Sequence, residues 1–230
     1  MSNLLTIIII TLNKRILDKI YELKEASNGN GDVFRAFGET GLTKTIANIE
    51  WFSISGVDNI LLDIIDPLFL GISSANKSEV ASKSIPKKDL TDKTWVFANV
   101  DGKTNIIDPK NLSQDMLISK NENGAYNYNQ MNILSHLFTK DAFIKSIKLP
   151  FPYSRAYKKN DYINDEGVKT VPTSPNSFKF EKFIFDAFKH FERFTLLEVR
   201  EEDEFAPIKA FTGEFTPEIA VEKYNKKFNK

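Results

Sequence analysis

Four short stretches of this 230-residue chain carry side chains suited to handling phosphate or sugar. In SFKFEKFIFD, the spacing of Phe178, Phe180, Phe183, Phe185 and Phe188 predicts an amphipathic helix with Lys179 in its first turn. A cation there opposes the helix dipole unless an anion lies beside it. Lys179 is therefore read as a phosphate-binding residue, the phenylalanines as core and Lys182 as a solvated cation. Asp58, in GVDNI, closes a buried strand, and ligands of open α/β sheets gather at the carboxyl ends of strands. Its carboxylate suits Mg²⁺ held against a phosphate; a loop cap is the commoner use of the same residue type. Asn129 and Asn132, in YNQMN, offer amides to sugar hydroxyls or, equally, to nearby backbone. In ASNGNGDVFRAF, Gly29, Asn30 and Gly31 precede a helical pattern. They make either an ordinary turn or a loop whose N–H groups face a ligand.

Composition removes several other chemistries. Lys plus Arg number 31 and Asp plus Glu number 31, so no positive excess exists to displace counterions from nucleic acid or to seat the chain on an anionic membrane. There is no cysteine, and His136 and His190 are the only histidines. Thiolate chemistry, disulfides and multi-histidine metal sites are excluded, which leaves carboxylates and a hard cation. The apolar run Leu4–Leu12 is too short to span a bilayer and lacks the flanks of a signal peptide. It is read as a buried strand, and the protein as cytoplasmic.

The elements that must position these residues follow from hydrophobic periodicity. Strands are predicted at 5–11, at 51–55, in EVASKSI, in WVFANV and in FTLLEV, and a helix or hairpin at 14–24. Helices are predicted from Val33, over DPLFLGISSAN with proline in the first turn, over FKFEKFIFDAFKHF and over 216–228. NVDGKTNII is a hairpin turning at Asp101 and Gly102. The sum is an α/β domain spanning residues 1–230 with a mixed sheet and an irregular excursion over about 148–177. In REEDEFAPIK the run of acids reads as a solvated turn.

The order of NGNG, VDNILLDIIDPLFLG, YNQMNILSHLF, KFEKFIFDAF and EVREEDEFAPIK resembles the eukaryotic UDP-N-acetylglucosamine pyrophosphorylases and their bacterial uridylyltransferase relatives, from about residue 26 to the carboxyl end. The resemblance implies a mixed, mostly parallel, Rossmann-like nucleotide-diphospho-sugar transferase sheet flanked by helices. It implies a reaction of UTP with a sugar 1-phosphate, that of N-acetylglucosamine or of glucose, giving a UDP-sugar and pyrophosphate with Mg²⁺ as cofactor. It implies that Gly29 and Asn30 meet uridine and sugar, Asp58 the metal and phosphates, Asn129 and Asn132 the sugar, and that Lys179 is the catalytic phosphate lysine. Lys83 matches a family lysine without an assigned role. Lys209 and the EDEFAP acids fall on a loop near the nucleotide-sugar pocket, and the family's sugar-contacting glutamate falls on Asp108 or Asn111. Two departures stand out. The glycine-rich signature GGxGTRLG has no counterpart, so the chain is expected to be amino-terminally truncated. Asp32 also replaces the last glycine of the NGNGG loop. The expectation is an incomplete uridylyltransferase, completed as a homodimer or by a complementing amino-terminal segment, or else a non-catalytic sugar-nucleotide-binding or protein-interaction remnant of that fold. The stretch LLTIIIITL is expected to cover part of the sheet edge beside Trp51–Ser55.

Overall fold

A computed structural model of the chain describes residues 6–8, 17–19, 22–23, 25–89 and 94–228. The chain divides into two compact units, Met1–Ile46 with Ser146–Ala187 and Ala47–Lys145 with Phe188–Lys230.

In the first unit the Asn-Gly loop runs through a single 3-10 turn, Asn30–Asp32, into helix α1 (Val33–Glu39). Phe34 is buried and stacks on Phe151, ring centroids 5.3 Å apart. Ser177–Glu181 is a strand, paired antiparallel with Ser154–Lys158. This corrects the helix expected over FKFEKFIFDAFKHF. Residues 177–181 alternate strictly, placing Lys179 and Glu181 on one side and Phe178 and Phe180 on the other. That two-residue period suits a strand, and the downstream phenylalanines masked it. Only Ile184–His190 is helical, as a 3-10 segment. The excursion expected over 148–177 carries that Ser154–Lys158 strand and a short ladder, Tyr162–Ile163 with Lys169–Thr170. Leu17–Lys19 pairs with Glu22–Leu23, the hairpin of the two readings for 14–24. Thr6–Ile8 pairs with Glu25–Ser27 rather than with the strand at 51–55; residues 4–5 and 9–12 of LLTIIIITL lie outside the described residues.

The second unit holds a six-stranded sheet. Its strands are β1 (Trp51–Ser55), β2 (Val80–Pro86), β3 (Val96–Val100), β4 (Lys103–Ile107), β5 (Gln130–Thr139) and β6 (Phe194–Glu198). The order is β6-β2-β5-β3-β4, with β1 also paired to β5. The mixed sheet is as expected, but its ladders are mostly antiparallel. Only β2 and β6 pair in parallel, because β5 runs antiparallel between β1 and β2, which share one direction. Every residue of β2 except Pro86 is buried, so each of its polar side chains needs a partner. Ser82 meets His136 Nδ1 at 2.7 Å and Ser84 donates to Gln130 at 2.7 Å. The hairpin between β3 and β4 turns at Asp101 and Gly102, with φ of 52° and 78°, the pair of positive angles a two-residue hairpin requires. Helix α2 (Pro67–Ala75) starts as expected, with Pro67 in its first turn and the Asp66 carboxylate accepting from the N–H groups of Leu68 and Phe69. The terminal helix is Pro217–Phe228. No helix among the described residues is long and apolar enough to cross a membrane.

Candidate functional site

The residues singled out from the sequence fall in both units. Asp58, Asn129 and Asn132 lie in the sheet unit; Gly29, Asn30 and Lys179 lie in the other.

The sheet unit builds its site on a bulge. The register of β5 against β2 shifts between Ser82 and Ser84, and Leu134 adopts a φ of 54°, a conformation that costs a non-glycine residue about 1–2 kcal/mol. Asn132 stabilises it by accepting the Leu134 N–H on Oδ1 at 3.0 Å. Gly56, just past β1, donates its N–H to the Leu134 carbonyl at 2.9 Å. The Asp58 carboxylate lies against this corner: a side chain at Gly56 would meet its Oδ1 at 2.8 Å and Leu134 at 3.2 Å. The structure thus brings Asp58 and Asn132 to one strand end, while Asn129 sits three residues upstream and accepts the Lys87 N–H on its carbonyl. Among the described residues the Asp58 carboxylate has no hydrogen-bond or ion-pair partner. Ser55 Oγ, at the same end of β1, is also buried without one.

Asn59 explains how Asp58 is left available. It is buried, its Nδ2 donates to the Glu204 carbonyl at 2.8 Å, and its Oδ1 accepts the Ala206 N–H at 2.8 Å. The Asp58 carbonyl accepts the Ile208 N–H at 2.8 Å. The EDEFAP segment is therefore a clamp on the Asp58 loop, with a short helix at Glu201–Glu204 instead of a solvated turn. Lys83 is fully buried beneath it, with Nζ 2.6 Å from Glu204 and 2.7 Å from Asp66. Burial alone would raise the Asp66 carboxyl; Lys83 and the α2 N–H groups outweigh it and hold the group below the usual range. A lysine inside the small-residue strand VASKSIP was the signal in the sequence for this buried group.

The glycine loop owes its glycines to packing. Gly31 donates its N–H to the Lys182 carbonyl at 2.9 Å, and Lys182 donates to the Asn28 carbonyl at 2.8 Å. A side chain at Gly29 would fall on the Lys182 backbone, and one at Gly31 would lie 2.7–2.8 Å from backbone atoms of Phe183. Asn30 turns its Oδ1 to the Ile184 N–H at 2.9 Å. Asp32 does not leave an open negative charge. Arg35 grips it with two nitrogens and holds its carboxyl below the usual range.

Lys179 is not at a helix start. It lies on the strand Ser177–Glu181 and pairs with Glu181 at 2.8 Å, so the dipole argument for an anion there fails. Lys182 is the more enclosed of the two, 3.9 Å from Asp32 and 4.9 Å above the Tyr153 ring, and is not the solvated cation expected. Asp108 caps the 3-10 turn Pro109–Asn111 through the Lys110 N–H, and Asn111 is exposed. Lys209 is exposed, with Nζ 5.5 Å over the Phe215 ring.

Residues 13–219 match the family described as UTP–glucose-1-phosphate uridylyltransferase. UDP-N-acetylhexosamine pyrophosphorylase-like protein 1 of Xenopus tropicalis is 33% identical over 199 residues, covering 84% of this chain and 39% of its own length. The UDP-N-acetylglucosamine pyrophosphorylase of Saccharomyces cerevisiae is 31% identical over 199 residues, covering 83% and 42%. A crystal structure from Entamoeba histolytica, described as a UDP-N-acetylglucosamine pyrophosphorylase, superposes with a TM-score of 0.86 at 23% identity over 96% of this chain and 56% of that one. The chain spans about two fifths of the length of these two curated relatives.

Proposed function

The chain belongs to the UTP–glucose-1-phosphate uridylyltransferase family, and on that premise we propose that it forms part of an enzyme joining UTP to a sugar 1-phosphate, that of N-acetylglucosamine or of glucose. In that reaction a phosphate oxygen of the sugar 1-phosphate attacks the α-phosphorus of UTP. The new P–O bond forms as the bond to the β-phosphate bridge breaks, and pyrophosphate leaves with the electron pair. The observation that carries the reading is the Asp58 carboxylate at the carboxyl end of β1, without a partner among the described residues and held by the Asn59 clamp. No group of three or more His, Cys, Asp or Glu residues that could hold a metal occurs among the described residues. A single carboxylate fits a Mg²⁺ that takes its remaining ligands from phosphate oxygens and water. Bound there, the cation would neutralise developing phosphate charge. Asp58 would hold it, and Asn129 and Asn132 would face the sugar. We place the protein in the cytoplasm.

Completion of the active site by a second copy or a complementing segment is part of the proposal. Among the described residues β1 pairs only with β5, and Val57, Ile64, Ile65 and Leu68 just beyond it are exposed. An unpaired edge beside exposed apolar side chains is a site for strand addition. A second reading, a binding domain without turnover, is favoured by the glycine loop, whose Asn30 Oδ1 and Gly31 N–H are both spent on the Lys182–Ile184 backbone.

Calorimetry with UDP-N-acetylglucosamine and UDP-glucose, with and without Mg²⁺, tests the binding half. Asp58→Asn is expected to abolish the Mg²⁺-dependent part of the affinity, and an Mg²⁺ response surviving in that variant refutes the role given to Asp58. Pyrophosphate release from UTP by the chain alone is expected to be negligible, and family-like turnover would remove the second reading.

A further inference from the structure

Lys83 is the one fully buried cation among the described residues of the sheet unit, and it stands between the two ends of a single loop. One of its partners, Asp66, caps α2 and closes that loop. The other, Glu204, reaches the loop at two more places: its Oε2 accepts the Asp63 N–H at 3.4 Å, and its carbonyl accepts Asn59 Nδ2. Asp66 directly, and Asn59 and Asp63 through Glu204, are tied to one ammonium group.

The rest of the loop is held by hydrogen bonds: the Asp58 carbonyl accepts the Ile208 N–H at 2.8 Å, Asn59 bonds Glu204 and Ala206 at 2.8 Å each, the Ile64 carbonyl accepts the Ser53 hydroxyl at 2.8 Å, and the Leu61 carbonyl accepts Lys227 Nζ at 3.1 Å. Its other backbone hydrogen bonds are long: Asn59 to Gly56 at 3.3 Å, Ile60 to Ala206 at 3.4 Å and Leu62 to Asn59 at 3.4 Å. Val57, Ile64 and Ile65 are exposed, and Leu61 alone is packed deeply, against Ala206 and Ala220. Lys83 touches the loop directly at Asp66, 2.7 Å away, and reaches the rest of it through Glu204, 2.6 Å away. Their charges sum to one negative unit, partly offset by the N–H groups at the start of α2 that face Asp66. Well-packed apolar side chains in place of all three groups would often serve stability as well as this buried triad does, whereas removing Lys83 alone leaves two carboxylates without their cation. The triad instead specifies geometry.

We propose that Lys83 is a positioning residue: through Asp66 and Glu204 it fixes the loop 57–66 and hence the place of the Asp58 carboxylate. The inference deepens the reading of Asp58 as the metal-side carboxylate and rests on it for its functional consequence.

The test is amide hydrogen exchange on the full chain without ligand, comparing wild type with Lys83→Met and Glu204→Gln. Losing a charge-assisted contact should lower protection of the Asn59, Ile60, Leu62 and Asp63 amides by roughly tenfold or more relative to the β3–β4 hairpin. Glu204→Gln keeps the side-chain shape and should show a smaller loss centred on Asp63; it carries the test alone if Lys83→Met does not fold. A fall of equal size across the whole sheet, or no fall in the loop, overturns the proposal, since a merely structural lysine would move all amides together. In parallel, calorimetry with UDP-N-acetylglucosamine should show weaker binding in Glu204→Gln with Mg²⁺ present and unchanged binding without it. A wild-type chain that binds no UDP-sugar sinks the functional reading, while the exchange data still decide whether Lys83 positions the loop.

Discussion

Gly31→Ala separates the two uses of the glycine loop. A methyl group at this position would lie 2.7 Å from the Phe183 carbonyl carbon and 2.8 Å from its nitrogen and oxygen. All three are backbone atoms, and the adjoining contacts pin them: Gly31 N–H on Lys182 at 2.9 Å and Ile184 N–H on Asn30 at 2.9 Å. Relief therefore requires the loop and the Lys182–Ile184 segment to part. Overpacking of this kind costs about 1–3 kcal/mol. For a chain of this size that corresponds to a fall in melting temperature of roughly 2–12 °C. The assay is thermal unfolding of the ligand-free chain followed by circular dichroism. Gly41→Ala is the control: it has a φ of 74° but nothing within 4 Å of the added atom, so it pays backbone strain alone, about 1–2 kcal/mol. An unchanged melting temperature for Gly31→Ala, together with weakened UDP-sugar binding, would show that the glycine serves the approach of a ligand and that the packing argument is wrong.

Other outcomes follow from the same contacts. Lys182→Ala should destabilise the free chain more than Lys179→Ala, because it removes an enclosed cation over Tyr153 and beside Asp32, whereas the half-exposed Lys179–Glu181 pair contributes about 0–1 kcal/mol; chemical denaturation of both variants reverses this conclusion if Lys179→Ala is the worse. Asn59→Ala leaves the Glu204 carbonyl and the Ala206 N–H without partners, at a cost of roughly 1–3 kcal/mol for each group left buried, measurable by the same denaturation. His136 is fully buried and burial pushes its pKa down to about 3. The folded form thus stays neutral while the unfolded chain protonates near pH 6.5. Its stability contribution is complete above that pH and is lost as pH falls from about 6.5 toward 3, with a slope of up to about 1.4 kcal/mol per pH unit. Stability curves for wild type and His136→Gln should therefore converge as the pH falls through that window, and parallel curves would refute the assignment.

Much of the sheet was legible because its signals are local. The strand at Trp51–Ser55 ends where its apolar run meets Gly56, and the α2 start is written in the Asp66–Pro67 pair. The β3–β4 turn is written in Asp101–Gly102. What could not be read is what depends on distant partners. SFKFE fits a helix when joined to the phenylalanines after it and a strand when set beside residues 154–158; nothing local decides between them. The direction of pairing was hidden for the same reason. β5 is far from β1 and β2 in sequence, and only its insertion between them makes the ladders antiparallel.

The site residues divide along the same line. Asp58 was singled out by its place after a strand, a local feature, and among the described residues its carboxylate has no partner. Asn59 beside it acts through distant partners, spanning 145 residues of sequence to Glu204 and 147 to Ala206. The two neighbours perform opposite tasks. A carboxylate that is to meet a cation must keep its oxygens free, and a free carboxylate adds nothing that would hold its own loop in place. The adjacent amide supplies that hold with one donor and one acceptor, both buried and neutral, so it neither competes for the cation nor shifts its field. Lys83 and Glu204 extend the same arrangement one layer deeper, where charge is enclosed and already paired. A loop that presents one open carboxylate thus needs a closed polar network behind it. In this chain every member of that network comes from outside the loop except Asn59, Asp63 and Asp66.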